Sequence, residues 1–136
     1  MNLKLQLYLE RVEKILPGVS ESELNALQQE LNFTLPEDYV NFMKEFNGGE
    51  GEVGENAWLN LFSIAELIET NKTYHLLMDD IPDYYLIGKD AADTGYAIHK
   101  SDQTFHAFGL MSDFETDPII FCGASFEEFI EYLYNQ

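Results

Sequence analysis

The sequence is short of cations and of cysteine. Its 136 residues include 7 Lys+Arg against 25 Asp+Glu, for a formal net charge of -18, and Arg11 is the one arginine. Binding to a nucleic-acid backbone needs clustered cations that displace condensed counterions, so direct nucleic-acid binding is not expected. The lone cysteine, Cys122, cannot close an internal disulfide, and there is no Cys-x-x-Cys pair to hold zinc. We therefore expect a reducing, cytoplasmic setting, with Cys122 buried as a small hydrophobe behind Ile119, Ile120 and Phe121. Long apolar runs are missing too: the opening MNLKLQLYLERVEKILPG is interrupted by Lys4, Gln6 and Glu10, which supports neither a signal peptide nor a membrane span.

What is present suffices for a core. Hydrophobic residues make up 46% of the chain and aromatics 14%, which argues against disorder despite the charge. The length suits one domain, residues 1–136. From Ser101 onward there is no Lys or Arg, while Asp102, Asp113, Glu115, Asp117, Glu127, Glu128 and Glu131 remain. That part projects negative potential, which speeds encounter with basic partners and repels acidic ones, most strongly at low salt.

Leu5, Leu9, Val12 and Leu16 recur at helical spacing up to Pro17-Gly18 and predict an amphipathic N-terminal helix. A second helix follows, opened by the capping box Ser20/Glu23, stapled by Val19 and Leu24, and striped by Leu24, Leu27 and Leu31. A third takes Pro36 in its first turn, sets Glu37 and Asp38 at the positive end of its dipole, and buries Leu35, Tyr39, Phe42, Met43 and Phe46. Asn47-Gly48-Gly49 ends it, and Glu50 to Asn56 is expected to be a solvated acidic loop. WLNLF (58–62) reads as a strand, and Ser63/Glu66 caps a helix from Ile64 to about Asn71. Strands are then expected at YYLIG, YAIH, TFHAF and IIFC, with turns at KDAADTG and KSDQ and a loop from Asp113 to Pro118. A last helix, capped by Ser125/Glu128, buries Phe126, Phe129, Ile130 and Leu133. Helices first, strands in the middle and a closing helix give an α+β order.

No complete catalytic or cofactor motif emerges. Gly48, Gly49, Gly51 and Gly54 follow a helix C-terminus and sit among Glu50, Glu52 and Glu55, whereas a phosphate loop needs Gly-Lys-Ser/Thr at a helix start. DAADTG lacks the alternating ligands of a calcium loop. His99 and His106, if KSDQ is a tight turn, lie diagonal on one sheet face, which is two ligands and not a metal site. Neither metal nor cofactor is expected. Cys122 has no local nucleophile elbow, and Ser20, Ser63 and Ser125 serve as caps. A small hydrolase would require a pocket gathering His99 or His106 with at least two acids.

The pieces LPEDYVNFMKEFNGG, Trp58, SIAELIETN, YYLIGKDAADTGYAIH and SFEEFIEYL, in that order and over most of the chain, resemble the SUKH superfamily of Smi/Knr-type domains. One departure is His99, standing where relatives often carry an aspartate. The resemblance implies an α+β domain whose central, mostly antiparallel sheet is packed by N-terminal helices and a C-terminal helix. It also implies no catalysis, since bacterial members typically bind and neutralise a cognate polymorphic toxin, frequently a nuclease, in the producing cell. Other members act as regulatory or scaffold adaptors, the alternative reading. The expected partner is a toxin with a basic surface, without membrane involvement. The residues expected to meet it are Glu50, Glu52, Glu55, Asp90, Asp93, Glu115 and Asp117, with Trp58 as anchor if it is not core.

Overall fold

Seven strands form one sheet in strict sequence order, every neighbouring pair antiparallel. The structure is a computed structural model describing residues 1–136. The strands are β1 (Val12–Lys14), β2 (Gly49–Val53), β3 (Ala57–Leu61), β4 (Tyr84–Lys89), β5 (Thr94–His99), β6 (Phe105–Gly109) and β7 (Ile120–Gly123). Helix α1 (Leu3–Tyr8) precedes the sheet. Helices α2 (Glu21–Glu30) and α3 (Glu37–Glu45) lie between β1 and β2, and α4 (Ile64–Thr73) and α5 (His75–Asp80) between β3 and β4. Helix α6 (Phe126–Tyr134) closes the chain. The α+β class and the antiparallel sheet agree with the expectation.

The capping chemistry places the helices. Ser20 accepts from the Glu23 amide while the Glu23 carboxylate accepts from the Ser20 amide, and Ser63 and Glu66 repeat the arrangement. The Ser125 cap is half of a box. Its hydroxyl accepts from the Glu128 amide, but the Glu128 carboxylate accepts from the Ala124 amide, one residue further out. Pro36 is the N-cap of α3 rather than a first-turn residue, and Asn47 turns its Oδ1 onto the Ile64 amide at 2.8 Å, tying the end of α3 to the start of α4.

Besides β2, a strand where an acidic loop was expected, two elements differ from the sequence reading. The N-terminal helix stops at Tyr8, well short of Leu16: Asn2 caps it, Leu5 and Leu9 are buried, and Val12 leaves to pair with Gly51 of β2. Leu16 is 71% exposed and belongs to no apolar stripe. Helical spacing was genuine, but three residues of it were claimed by a partner strand distant in sequence. The second difference is α5, which no periodicity announces because only Met78 of its six residues is buried.

One cluster of 31 buried residues runs through helices and sheet. Its centre is aromatic: Phe129 stacks on Phe105 at 5.3 Å between ring centroids and meets Tyr96 edge-on at 5.3 Å, while Phe126 touches Tyr39 and Phe42 of α3. Tyr39 is 1% exposed, and its hydroxyl has no hydrogen-bond partner. Where β3 falls away from β4, α4 supplies the missing edge. The Asn71 amide donates to the Leu86 carbonyl at 2.8 Å and its oxygen accepts from the Leu86 amide at 3.1 Å, replacing a strand's pair of bonds with one side chain.

Candidate partner-binding surface

The acidic stretch after α3 is a paired strand, not a loop. Residues Gly49–Val53 alternate strictly between buried and exposed, with Gly49, Gly51 and Val53 inward and Glu50 and Glu52 outward. The inward glycines are there because β1 crosses too close for a side chain. A Cβ on Gly51 would run into the Arg11 carbonyl and stand 2.8 Å from Val12 Cα, and one on Gly49 would stand 2.9 Å from the Glu13 carbonyl oxygen. What reads as flexible glycine-rich sequence is thus close backbone packing. The turn to β3 is Gly54-Glu55-Asn56, where Gly54 takes φ +68 and leaves Glu55 exposed.

Register sets the neighbours of each acid. Glu50 lies between Glu13 of β1 and Asn60 of β3, and Glu52 lies opposite Trp58. Residues directly opposite in antiparallel strands share a face, so Glu13, Glu50, Glu52, Trp58 and Asn60 form one outer surface. Its charge is not uniform. Arg11 donates to Glu52 at 2.8 Å and to the Gly54 carbonyl, and Lys89 lies opposite Asn60. Both members of the Arg11–Glu52 pair are about half exposed, where such a bridge contributes ~0–1 kcal/mol.

Trp58 is half-buried, neither core nor free. It lines a cleft of about 400 Å³ with Tyr96, Ile120, Tyr132 and Asp90. The Asp90 carboxylate shapes the β4–β5 turn by accepting from the Ala92 and Thr94 amides at 2.9 and 3.0 Å. Asp93 is exposed in the same turn, and its carbonyl holds the Leu110 amide at 2.6 Å. Glu115 and Asp117 belong to a second group. They stand in the loop after β6, where Asp117 accepts from the Asp113 amide and Asp113 from the Glu115 amide. Asp80 at the end of α5 joins Asp113 and Glu115 around a polar cleft. The eight expected residues are therefore split: six surround the β2–β3 turn and the β4–β5 turn, and two lie in the later loop.

His99 and His106 are diagonal on one face, with ring centroids 5.9 Å apart, as the turn spacing suggests. Both meet Tyr84 edge-on, at 4.9 and 5.3 Å. His99 Nδ1 is 3.1 Å from Asp102, and His106 Nε2 is 2.7 Å from the Thr104 hydroxyl. Burial, then the nearby His99, lowers the His106 pKa, with Asp102 opposing. One acid, not two, stands beside the pair. No group of three His, Cys, Asp or Glu is arranged to hold a metal ion. Cys122 is buried, its thiol pushed up to about 12 by desolvation, which leaves it a poor nucleophile at neutral pH.

Phe121 and Ile120 went unnoticed in the sequence. Part of the apolar run ahead of Cys122 and expected only as strand, they are 57% and 48% exposed, because β7 is an edge strand and only Cys122 and Gly123 are covered. The fold and surface define a helix-flanked antiparallel meander with an acid-bearing outer face and a half-buried tryptophan beside it. The sequence matches the model of the SMI1 / KNR4 family (SUKH-1) over residues 18–132, and the chain belongs to that family. No curated protein matches it. Membership is consistent with an immunity-type, partner-binding role. No helix is long and apolar enough to cross a membrane.

Proposed function

We propose that the chain is a non-catalytic immunity protein that binds and neutralises a cognate polymorphic toxin, a nuclease, inside the producing cell. The observation that carries this reading is the union of family and charge: a SUKH-1 domain with net charge -18 whose outer sheet face presents Glu13, Glu50 and Glu52 around Trp58. A nuclease holds its substrate on a basic surface, and an acidic protein can occupy that surface as a mimic of phosphate. In this reading Glu50, Glu52 and Glu55 pair with toxin lysines and arginines, Asp90 and Asp93 extend the same field, and Trp58 offers an aromatic wall to a partner side chain entering the cleft. Glu115 and Asp117, with Asp113 and Asp80, form a second acidic contact.

The test is co-expression with the toxin-like product of the neighbouring reading frame, scoring relief of growth arrest. Relief that requires physical association supports the reading. Growth arrest that persists despite abundant folded protein contradicts it, and the absence of any toxin-like neighbour would favour a regulatory adaptor.

A further inference from the structure

The sheet ends in two unlike edges. β1 is three residues long, contains Glu13 and Lys14, and follows Arg11. Lys14 folds its ammonium back onto the carbonyl oxygens of Leu9 and Val12 at 2.8 and 3.1 Å. Shortness, charge and plugged carbonyls are the devices that keep an edge strand from pairing with another chain. β7 is also short, at four residues, and its Ile120 carbonyl accepts only the weak Cys122 thiol at 3.5 Å, so it differs from β1 in charge and in side-chain exposure. It carries no charged residue, pairs with β6 alone, and exposes Ile120 and Phe121. Adjacent strand residues point to opposite faces, and each of these two reaches an apolar patch. Ile120 lines the cleft with Trp58, Tyr96 and Tyr132, whereas Phe121 packs edge-on against His106 at 5.6 Å, beside Tyr84 and His99.

We infer that β7 is a docking edge which accepts an extended, basic segment of a partner protein as an eighth strand. Main-chain hydrogen bonds to the unpaired edge provide affinity, and alternate side chains of the added strand fall beside Ile120 on one face and Phe121 on the other. Charge selects the occupant. Asp117 precedes β7, Glu127 and Glu128 follow it, and no Lys or Arg occurs from residue 101 to 136. A second copy pairing along the same edge would set these carboxylates against their own kind, whereas a strand flanked by lysine or arginine meets opposite charge. The inference deepens the immunity reading, on which it rests only for the partner's identity.

The experiment uses the full chain and two end-blocked nine-residue peptides, one alternating valine with lysine and one valine with glutamate, followed by NMR shifts and amide exchange. The expected result is saturable binding of the lysine peptide with slowed exchange of amides between Ile119 and Gly123. Phe121→Lys should weaken it at least tenfold, Phe121→Thr serving in its place if the lysine variant does not fold, and the glutamate peptide should not bind. Shifts scattered over the acidic surface with unchanged β7 exchange, equal binding of both peptides, or self-association of the protein through β7 would each overturn the inference. Strand addition without growth rescue removes the toxin but keeps the edge. Rescue without strand addition removes the edge and leaves the immunity reading intact.

Discussion

Replacing Gly51 by alanine separates a paired strand from a loop by the sign of its effect. In a flexible acidic loop the added methyl would restrict the unfolded chain and stabilise by ~0.4–1 kcal/mol. In the strand, the new Cβ meets the Arg11 carbonyl and lies 2.8 Å from Val12 Cα, both backbone atoms that no rotamer change can clear. Overpacking costs ~1–3 kcal/mol, and the rigid obstacle places this case in the upper half, ~2–3 kcal/mol. For a chain of this size that lowers Tm by about 6–12 °C. Gly109→Ala is the control, since the atom nearest its Cβ is the Ser112 hydroxyl at 2.7 Å, which can rotate away. Thermal and urea unfolding followed by circular dichroism, with coincident transitions as the two-state check, provide the numbers. An unchanged or raised Tm for Gly51→Ala would refute the close packing of β1 on β2 and, with it, the outward display of Glu50 and Glu52.

Other substitutions probe the frame that carries the surface. Tyr39→Phe removes a buried hydroxyl without a partner, so urea unfolding should show the variant as stable as the parent or more so by ~1–3 kcal/mol; a loss beyond ~1 kcal/mol would mean the hydroxyl is bonded. Asn71→Ala leaves the Leu86 amide and carbonyl unpaired and should cost ~2–4 kcal/mol in the same assay, a cost below ~0.5 kcal/mol showing that water replaces the side chain. His106 has a folded pKa below its ordinary value, so its contribution to stability is full above the ordinary histidine pKa of 6.5 and is lost as pH falls through the folded value. Comparing Tm between pH 7 and pH 5 for the parent and His106→Gln cancels the relaxation of carboxylate repulsion common to both. The parent should lose stability relative to the variant as the pH falls, and parallel curves would contradict this.

Local chemistry was legible where it is enforced within a few residues. The capping boxes at Ser20 and Ser63, the aromatic face of α3 and the buried stripe of α6 each depend on side chains three or four positions apart, and all are present. The errors arose where a distant strand decided the outcome. Val12 obeyed helical spacing yet joined Gly51, and the inward positions 49 and 51 of GEGEV lacked side chains because β1 had taken their space. The histidine pairing followed correctly from the KSDQ turn, but Tyr84 and Phe121, which complete that aromatic group, came from other strands. Exposure of Phe121 was illegible for the same reason, since a strand's sequence does not say whether it ends a sheet. Asp80 joining Asp113 and Glu115 likewise depends on where α5 lands.

The central claim is that acidic groups on the outer sheet face engage a basic toxin. Its most direct test is the Kd of the full chain for the product of the neighbouring toxin-like reading frame, compared with a Glu50→Lys, Glu52→Lys, Glu55→Lys variant across a range of salt. All three positions are exposed, so folding should survive, with loss only of the weak Arg11–Glu52 bridge. The expected result is binding at least tenfold weaker at low salt, chiefly through slower association, with the difference shrinking as salt rises. Equal affinity and equal salt dependence for parent and variant would contradict the claim.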